Sequence, residues 1–120
     1  MFKKQKTIVS YFETRDHFIS LLEKNPGLVI IKMGATWCGP CKKIKPYVYD
    51  KLKTCPYPCY CLDIDENMDI YKALRSKKQI QGVPTILAFK TENVSLIPDK
   101  CVTGAISTEI DYFFNYLKKI

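Results

Sequence analysis

Cys38 and Cys41, two of the chain's six cysteines, form a C-x-x-C inside Trp37-Cys38-Gly39-Pro40-Cys41. Thiols at that spacing can close on each other or share a metal. Metal is the weaker reading: a closed zinc site takes four ligands, and Cys55, Cys59, Cys61 and Cys101 supply no second C-x-x-C. Disulfide exchange suits the surroundings better. An apolar run, Leu28 to Met33, leads into the motif, and a helical pattern leads out of it. A helix N-terminus carries roughly half a positive charge and several unpaired N–H groups. A thiolate there is stabilised, and the thiolate is the nucleophile of disulfide exchange. One cysteine attacks at the opening turn, and the other, three residues on, lies near enough to displace the bound partner. Gly39 and Pro40 constrain the turn so that the two sulfurs can meet.

These residues need a strand behind them and a helix in front. Leu28 to Met33 is a nearly unbroken apolar run, the mark of a strand covered on both faces. A helix over about Cys38 to Thr54 carries Ile44, Tyr47, Val48 and Leu52 on one stripe, with Pro46 inside it as an expected kink. Upstream, Lys6 to Phe12 reads as a strand. Thr14 caps a helix from Arg15 to Lys24, and Asn25-Pro26-Gly27 stops it. Downstream, a stiff Pro56 to Pro58 loop leads to a strand, Cys59 to Ile64. Asp65-Glu66-Asn67 then caps a helix from Met68 to Ser76, and Ile80 to Pro84 is a loop. Thr85 to Phe89 reads as a strand and Val94 to Ile97 as its hairpin partner, with a short continuation near Cys101 to Thr103. Ser107 caps a last helix to Lys119, with Ile110, Phe113, Phe114 and Leu117 inward. Parallel crossovers followed by a terminal hairpin give an α/β fold: a mixed central β-sheet flanked by helices on both faces. With no repeat or linker, residues 1–120 read as one domain.

Composition narrows the function classes. The chain has 120 residues, 47% apolar and 26% charged, an ordinary globular balance. No apolar run approaches a membrane span, and Met1-Phe2-Lys3-Lys4-Gln5-Lys6 has no apolar leader character. A reducing, cytoplasmic setting is therefore expected, which argues against a secreted disulfide framework. The net charge of +7 is spread from Lys3 to Lys119 rather than in a compact stripe, so it reads as a solvated surface and not as a nucleic-acid face. Lys42, Lys43, Lys45, Lys51 and Lys53 do cluster and could steer acidic partners. His17 reads as a surface residue. Asp63, Asp65, Glu66 and Asp69 lack the spacing of a calcium loop and read as caps.

On its motifs the chain resembles the thioredoxin family from about residue 7 to 120. Trp37 to Cys41 matches the family's redox motif residue for residue, and Pro46 matches its helix proline. Val83-Pro84-Thr85 falls at its cis-proline loop, Leu62-Asp63-Ile64-Asp65 resembles the strand end before its third helix, and Gly104 resembles a glycine bordering its substrate groove. The resemblance implies a thioredoxin fold. It implies Cys38 as the more exposed, attacking thiolate and Cys41 as the buried resolving thiol. Trp37 would pack beside the site and touch partners, the alternative being a core aromatic. Pro84 would be cis, letting Val83 offer backbone hydrogen bonds to an extended substrate, the alternative being an ordinary trans turn. Gly104 would leave room for substrate backbone or, equally, serve a turn of positive φ.

The chain departs from the family at Lys32, six residues before Cys38, where the family usually places a buried Asp. Its partner lysine on the neighbouring strand also looks replaced, by Cys61. A charged Lys32 beneath the site would favour thiolates at Cys41 and Cys61, and a neutral one could accept the Cys41 proton. The alternative is that Lys32 snorkels to the surface. Cys59 and Cys61 share one strand face, and the extra cysteines are expected as packed thiols, with a Cys55–Cys59 disulfide as the alternative. The resemblance implies a protein disulfide reductase, re-reduced by a thioredoxin-reductase-like flavoprotein, whose only redox group is the Cys38/Cys41 dithiol, with no metal or organic cofactor. An oxidase or isomerase with its potential raised by Lys32, and a binding module with an idle redox pair, are the alternatives.

Overall fold

A computed structural model describes residues 7–25, 27–77, 80 and 82–119. Five strands, β1 (Thr7–Ser10), β2 (Leu28–Gly34), β3 (Cys59–Asp63), β4 (Thr85–Lys90) and β5 (Lys100–Thr103), form one sheet in the order β1-β3-β2-β4-β5. The β1/β3 and β3/β2 pairs are parallel, and β2/β4 and β4/β5 are antiparallel. The mixed sheet expected from the element order is therefore present. Four helices accompany it: α1 (Arg15–Glu23), α2 (Gly39–Leu52), α3 (Met68–Ser76) and α4 (Ser107–Leu117).

The central strand β2 explains why the chain folds around it. Its first six residues are buried, and alternate side chains serve two cores. Val29, Ile31 and Met33 join Phe18 and Leu22 of α1 and Ile70, Ala73 and Leu74 of α3. Leu28 and Ile30 join Ile44, Val48 and Leu52 of α2 and Ile110, Phe113 and Phe114 of α4. An unbroken apolar strand is what two covered faces require. Lys32 occupies the same face as Leu28 and Ile30, so it is a charge placed where the pattern calls for another aliphatic.

Several boundaries differ from the expected ones for local reasons. The expected strand Val94–Ile97 is absent, and the partner of β4 is β5 instead. Asn93 accepts from the Ser95 N–H and hydroxyl and donates to the Ile97 carbonyl, while Asp99 accepts from the Lys90 N–H at 2.7 Å. These short-range bonds occupy the backbone groups a ladder would need. Ser107 is the first residue of α4 rather than its cap; Ile106 holds the cap position and makes no side-chain capping bond. Asp65 and Glu66 do not cap α3 but lie in a 3-10 turn, Ile64–Glu66, capped by Asp63. The start of the first strand at Lys6 and the turn residue Pro26 lie outside the described residues.

Asn67 precedes α3, but its side chain spends its bonds elsewhere. It accepts from the Phe12 N–H at 2.7 Å and donates to the Asp63 carbonyl at 2.9 Å, with 1% of the residue exposed. It thereby ties the chain after β1 to the turn after β3. Asn67→Ala leaves two backbone groups without that partner, and a loss of about 2 kcal/mol is expected in urea unfolding. A loss below a few tenths would mean that water takes both bonds over.

Candidate redox site

The end of β2 delivers Ala35, Thr36 and Trp37 to the start of α2, and Cys38 is the N-cap residue of that helix. Its Sγ accepts from the Cys41 N–H at 3.1 Å. A sulfur thus takes the capping role usually filled by a hydroxyl or carboxylate, at the positive end of a 14-residue helix. Cys38 and Cys41 are joined as a disulfide, with their Cα atoms 5.2 Å apart. Pro40 lies in the first turn, where its missing N–H costs nothing, and Pro46 lies inside the helix.

The two cysteines were expected to differ in exposure. They do not: each is 5% exposed. Cys38 is covered because its Sγ lies 3.8 Å from the Val83 carbonyl oxygen, under the loop that precedes β4. What separates them is the ground each faces. Cys38 faces the Val83–Pro84 loop, and Cys41 faces inward over Gly34. The Val83–Pro84 peptide is cis, as expected. Gly104 donates its N–H to the Pro84 carbonyl at 2.8 Å with φ of +101°. Its glycine is therefore required by the backbone turn, and the space beside it is also open. Trp37 is 65% exposed, not a core aromatic, and its indole N–H donates to Asp65 at 2.8 Å. Asp65 carries a role that local sequence reasoning missed, because the sequence separation of 28 from Trp37 is closed only by the fold.

Beneath the motif the substitutions fit together. Lys32 and Cys61 are direct register partners on β2 and β3. Lys32 is 7% exposed and does not snorkel out. A Cβ added at Gly34 would meet the Cys41 Sγ at 3.6 Å and the Lys32 Nζ at 3.9 Å, so sulfur and ammonium flank one point. Both line a cavity of about 360 Å³ that Gly34, Lys42, Lys45, Tyr49, Cys61 and Asp63 also border. The Lys32 Nζ lies 6.0 Å from the centre of the Tyr49 ring, and the Tyr49 hydroxyl lies 3.9 Å from the Cys61 Sγ. Lys45 reads in the sequence only as part of a basic cluster, and Tyr49 is not marked by it at all. They follow Cys41 at steps of four along α2, a helical spacing that could have flagged them.

Cys61 is brought down to about 7, chiefly by the hydrogen bond from Cys59. Burial opposes this, and the Lys32 charge, the Tyr49 hydroxyl and the Lys45 charge reinforce it. The same hydrogen bond, with burial, pushes the Cys59 thiol well up. Cys55, Cys59 and Cys61 lie outside any disulfide, so the Cys55–Cys59 pairing is not formed. A thiol whose folded value is depressed stabilises the fold above its unfolded value and loses that contribution as pH falls through its folded value. Between pH 9 and pH 7, stability should therefore fall by on the order of 1 kcal/mol on account of Cys61. Urea unfolding at the two pH values checks this. Cys61→Ser should flatten the difference, and an unaltered slope in that variant would assign it to other groups.

A family model described as thioredoxin matches residues 9–115 of this chain. The chain belongs to the thioredoxin family. Thioredoxin-1 of Saccharomyces cerevisiae is 36% identical over 84 residues, covering 69% of this chain and 77% of the relative. Thioredoxin-1 of Caenorhabditis elegans is 31% identical over 107 residues, 88% of each chain. Among solved structures, the reduced thioredoxin pre-protein of Schistosoma mansoni superposes with a TM-score of 0.74 at 25% identity, over 93% of this chain and 98% of that one. The sheet order and helix placement above are thus a thioredoxin fold, and thiol–disulfide oxidoreductase chemistry goes with family membership. Thioredoxins work through their own cysteine pair. Among the described residues no cluster of His, Cys, Asp or Glu is arranged to hold a metal, and no helix is long and apolar enough to cross a membrane.

Proposed function

We propose that this chain is a protein disulfide reductase. The observation that supports it most is the closed Cys38–Cys41 pair at the N-terminus of α2, with Cys38 facing the cis Val83–Pro84 loop. In the reduced protein the Cys38 thiolate is stabilised by the helix N-terminus and by the Cys41 N–H. It attacks one sulfur of a substrate protein's disulfide, forming a mixed disulfide and releasing the other sulfur as a thiolate. Cys41 loses its proton, attacks the Cys38 Sγ and expels the reduced substrate. Val83 and Pro84 border the place where the substrate segment lies, Gly104 keeps that side open, and Trp37, held by Asp65, offers an apolar surface beside it. Gly39 and Pro40 shape the turn.

Lys32 and Cys61 support the second step. An ammonium at Lys32 favours the thiolate forms of Cys41 and Cys61, and the Cys61 thiolate is a base within the same cavity. No metal or organic cofactor takes part. The oxidised pair is returned to the dithiol by a thioredoxin-reductase-like flavoprotein, and the setting is cytoplasmic. Insulin precipitation in dithiothreitol tests the reading: the chain should accelerate it well above the dithiothreitol background, and a rate equal to background would end the proposal. One feature favours an oxidase or isomerase as a second reading. A buried lysine beside Cys41 stabilises the reduced form, which raises the potential. Equilibration against glutathione buffers separates the two: a pair that stays largely reduced at an oxidising glutathione ratio is an oxidant.

A further inference from the structure

We propose that Cys61 is a second reactive sulfur, a modification site for small anionic disulfides of the glutathione disulfide class, set in the lysine-lined cavity behind the Cys38–Cys41 pair. The cavity, about 360 Å³, is bordered by Lys32, Lys42 and Lys45 and by a single carboxylate, Asp63. Asp63 is already engaged, accepting from the Asp65 N–H at 2.9 Å. Lys32 is more than nine-tenths buried, yet no carboxylate among the described residues lies within ion-pair reach of it. A buried ammonium without a counter-charge calls for an anion, and the cavity it borders is where that anion fits. Two sources of negative charge answer it. One is the Cys61 thiolate across the strand pair, and the other is the carboxylates of an incoming peptide disulfide, which Lys42 and Lys45 can also meet.

The groups around Cys61 come from every neighbouring element. Lys32 faces it from β2, and Lys45 and Tyr49 from α2. Cys59 lies two residues before it on its own strand, and its register neighbour on β1 is Val9, which does not titrate. With its acidity near neutral pH, Cys61 is a thiolate for much of the time, and it is only partly buried. Exchange is fastest for an attacking thiol whose acidity lies near the ambient pH. Cys55, Cys59 and Cys101 are all shifted the other way, with burial a leading cause in each, and make poor nucleophiles.

The step balances without another reagent. The Cys61 thiolate attacks one sulfur of glutathione disulfide, the S–S bond of glutathione breaks, and one glutathione thiolate leaves. Cys61 is then held as a mixed disulfide with the other half. The adduct fills the cavity that Cys41 borders and removes the thiolate beside it. Slower release of substrate from Cys38 follows, a consequence that rests on the reductase reading, whereas the modification itself does not.

The test uses the full chain with Cys38 and Cys41 closed as their disulfide, incubated with excess glutathione disulfide from pH 6 to 9 and mapped by peptide mass. One adduct is expected, on Cys61, with a rate that rises through a midpoint near the value of about 7 given above. Lys32→Met should raise that midpoint and slow the reaction at pH 7 severalfold, since a rise of one unit from about 7 would cut the thiolate fraction there from about one half to about one tenth. The native map needs no variant, so a misfolded Lys32→Met protein leaves the main result readable. Adducts that form first on Cys55 or Cys101, no adduct at Cys61, or a rate in a folded Lys32→Met protein equal to that of the native chain would each overturn the proposal. Because the readout is mass on the oxidised protein, it is independent of whether the chain reduces insulin.

Discussion

Cys38→Ser is expected to abolish disulfide reduction, lowering the rate by at least about 10³-fold, whereas Cys41→Ser should instead arrest the reaction half-way. The two cysteines are equally buried, so the asymmetry comes from position along α2. Cys38 holds the N-cap, where its sulfur accepts from the Cys41 N–H and meets the positive end of the helix. A serine there keeps the capping bond but is not ionised near neutral pH, so the fold survives and the nucleophile does not. Cys41 lies one turn further, toward Gly34 and Lys32. Without its sulfur the first attack still takes place, but nothing expels the substrate. Cys41→Ser protein should therefore carry covalent partners on non-reducing gels that dithiothreitol releases, and Cys38→Ser protein should carry none. The reverse pattern, with Cys38→Ser the trapping variant, would mean that Cys41 is the attacking sulfur.

The second large effect concerns the core. Phe89→Ala should cost about 3–5 kcal/mol, a large share of the 5–15 kcal/mol that a domain usually possesses. Phe89 is fully buried on β4, edge-on to Phe18 at 5.9 Å, and Phe18 is in turn edge-on to Phe12 at 5.5 Å. Removing the ring opens a cavity between the sheet and α1 and breaks this aromatic chain. The backbone at Phe89 is also held, since its carbonyl accepts from Asn25 at 2.8 Å, so the strand has little freedom to collapse into the gap. Urea midpoints report the loss. Activity per folded molecule should be unchanged, because the redox pair lies at the far end of β2. A loss under about 1 kcal/mol would show that Phe12 and Phe18 repack into the space.

The order of elements and the covered central strand could be read from the chain because they rest on local patterns. Leu28 to Met33 announces a buried strand by itself, and Trp37 to Cys41 announces its chemistry by spacing. The Lys32–Cys61 pairing was also legible, through resemblance, since register follows once the neighbouring strands are aligned. What local sequence hides is what the fold brings together. Asp65 reads as a cap and proves to be the partner of the Trp37 indole. Tyr49 reads as part of a helix and proves to stand over Lys32 and Cys61. Val94 to Ile97 carries strand-forming residues, yet the Asn93 and Ser95 side chains capture their backbone first. The equal burial of Cys38 and Cys41 depends on where the Val83–Pro84 loop comes to rest, a non-local fact.

The outer strand β5 has a consequence for assembly. It presents four residues, beginning with Lys100, and pairs only with β4 among the described strands. An extended chain adding itself along that rim would gain few ladder bonds and would have to seat beside a charged side chain. Recruitment of a partner by strand addition is therefore disfavoured at β5, as is amyloid-type stacking along that rim.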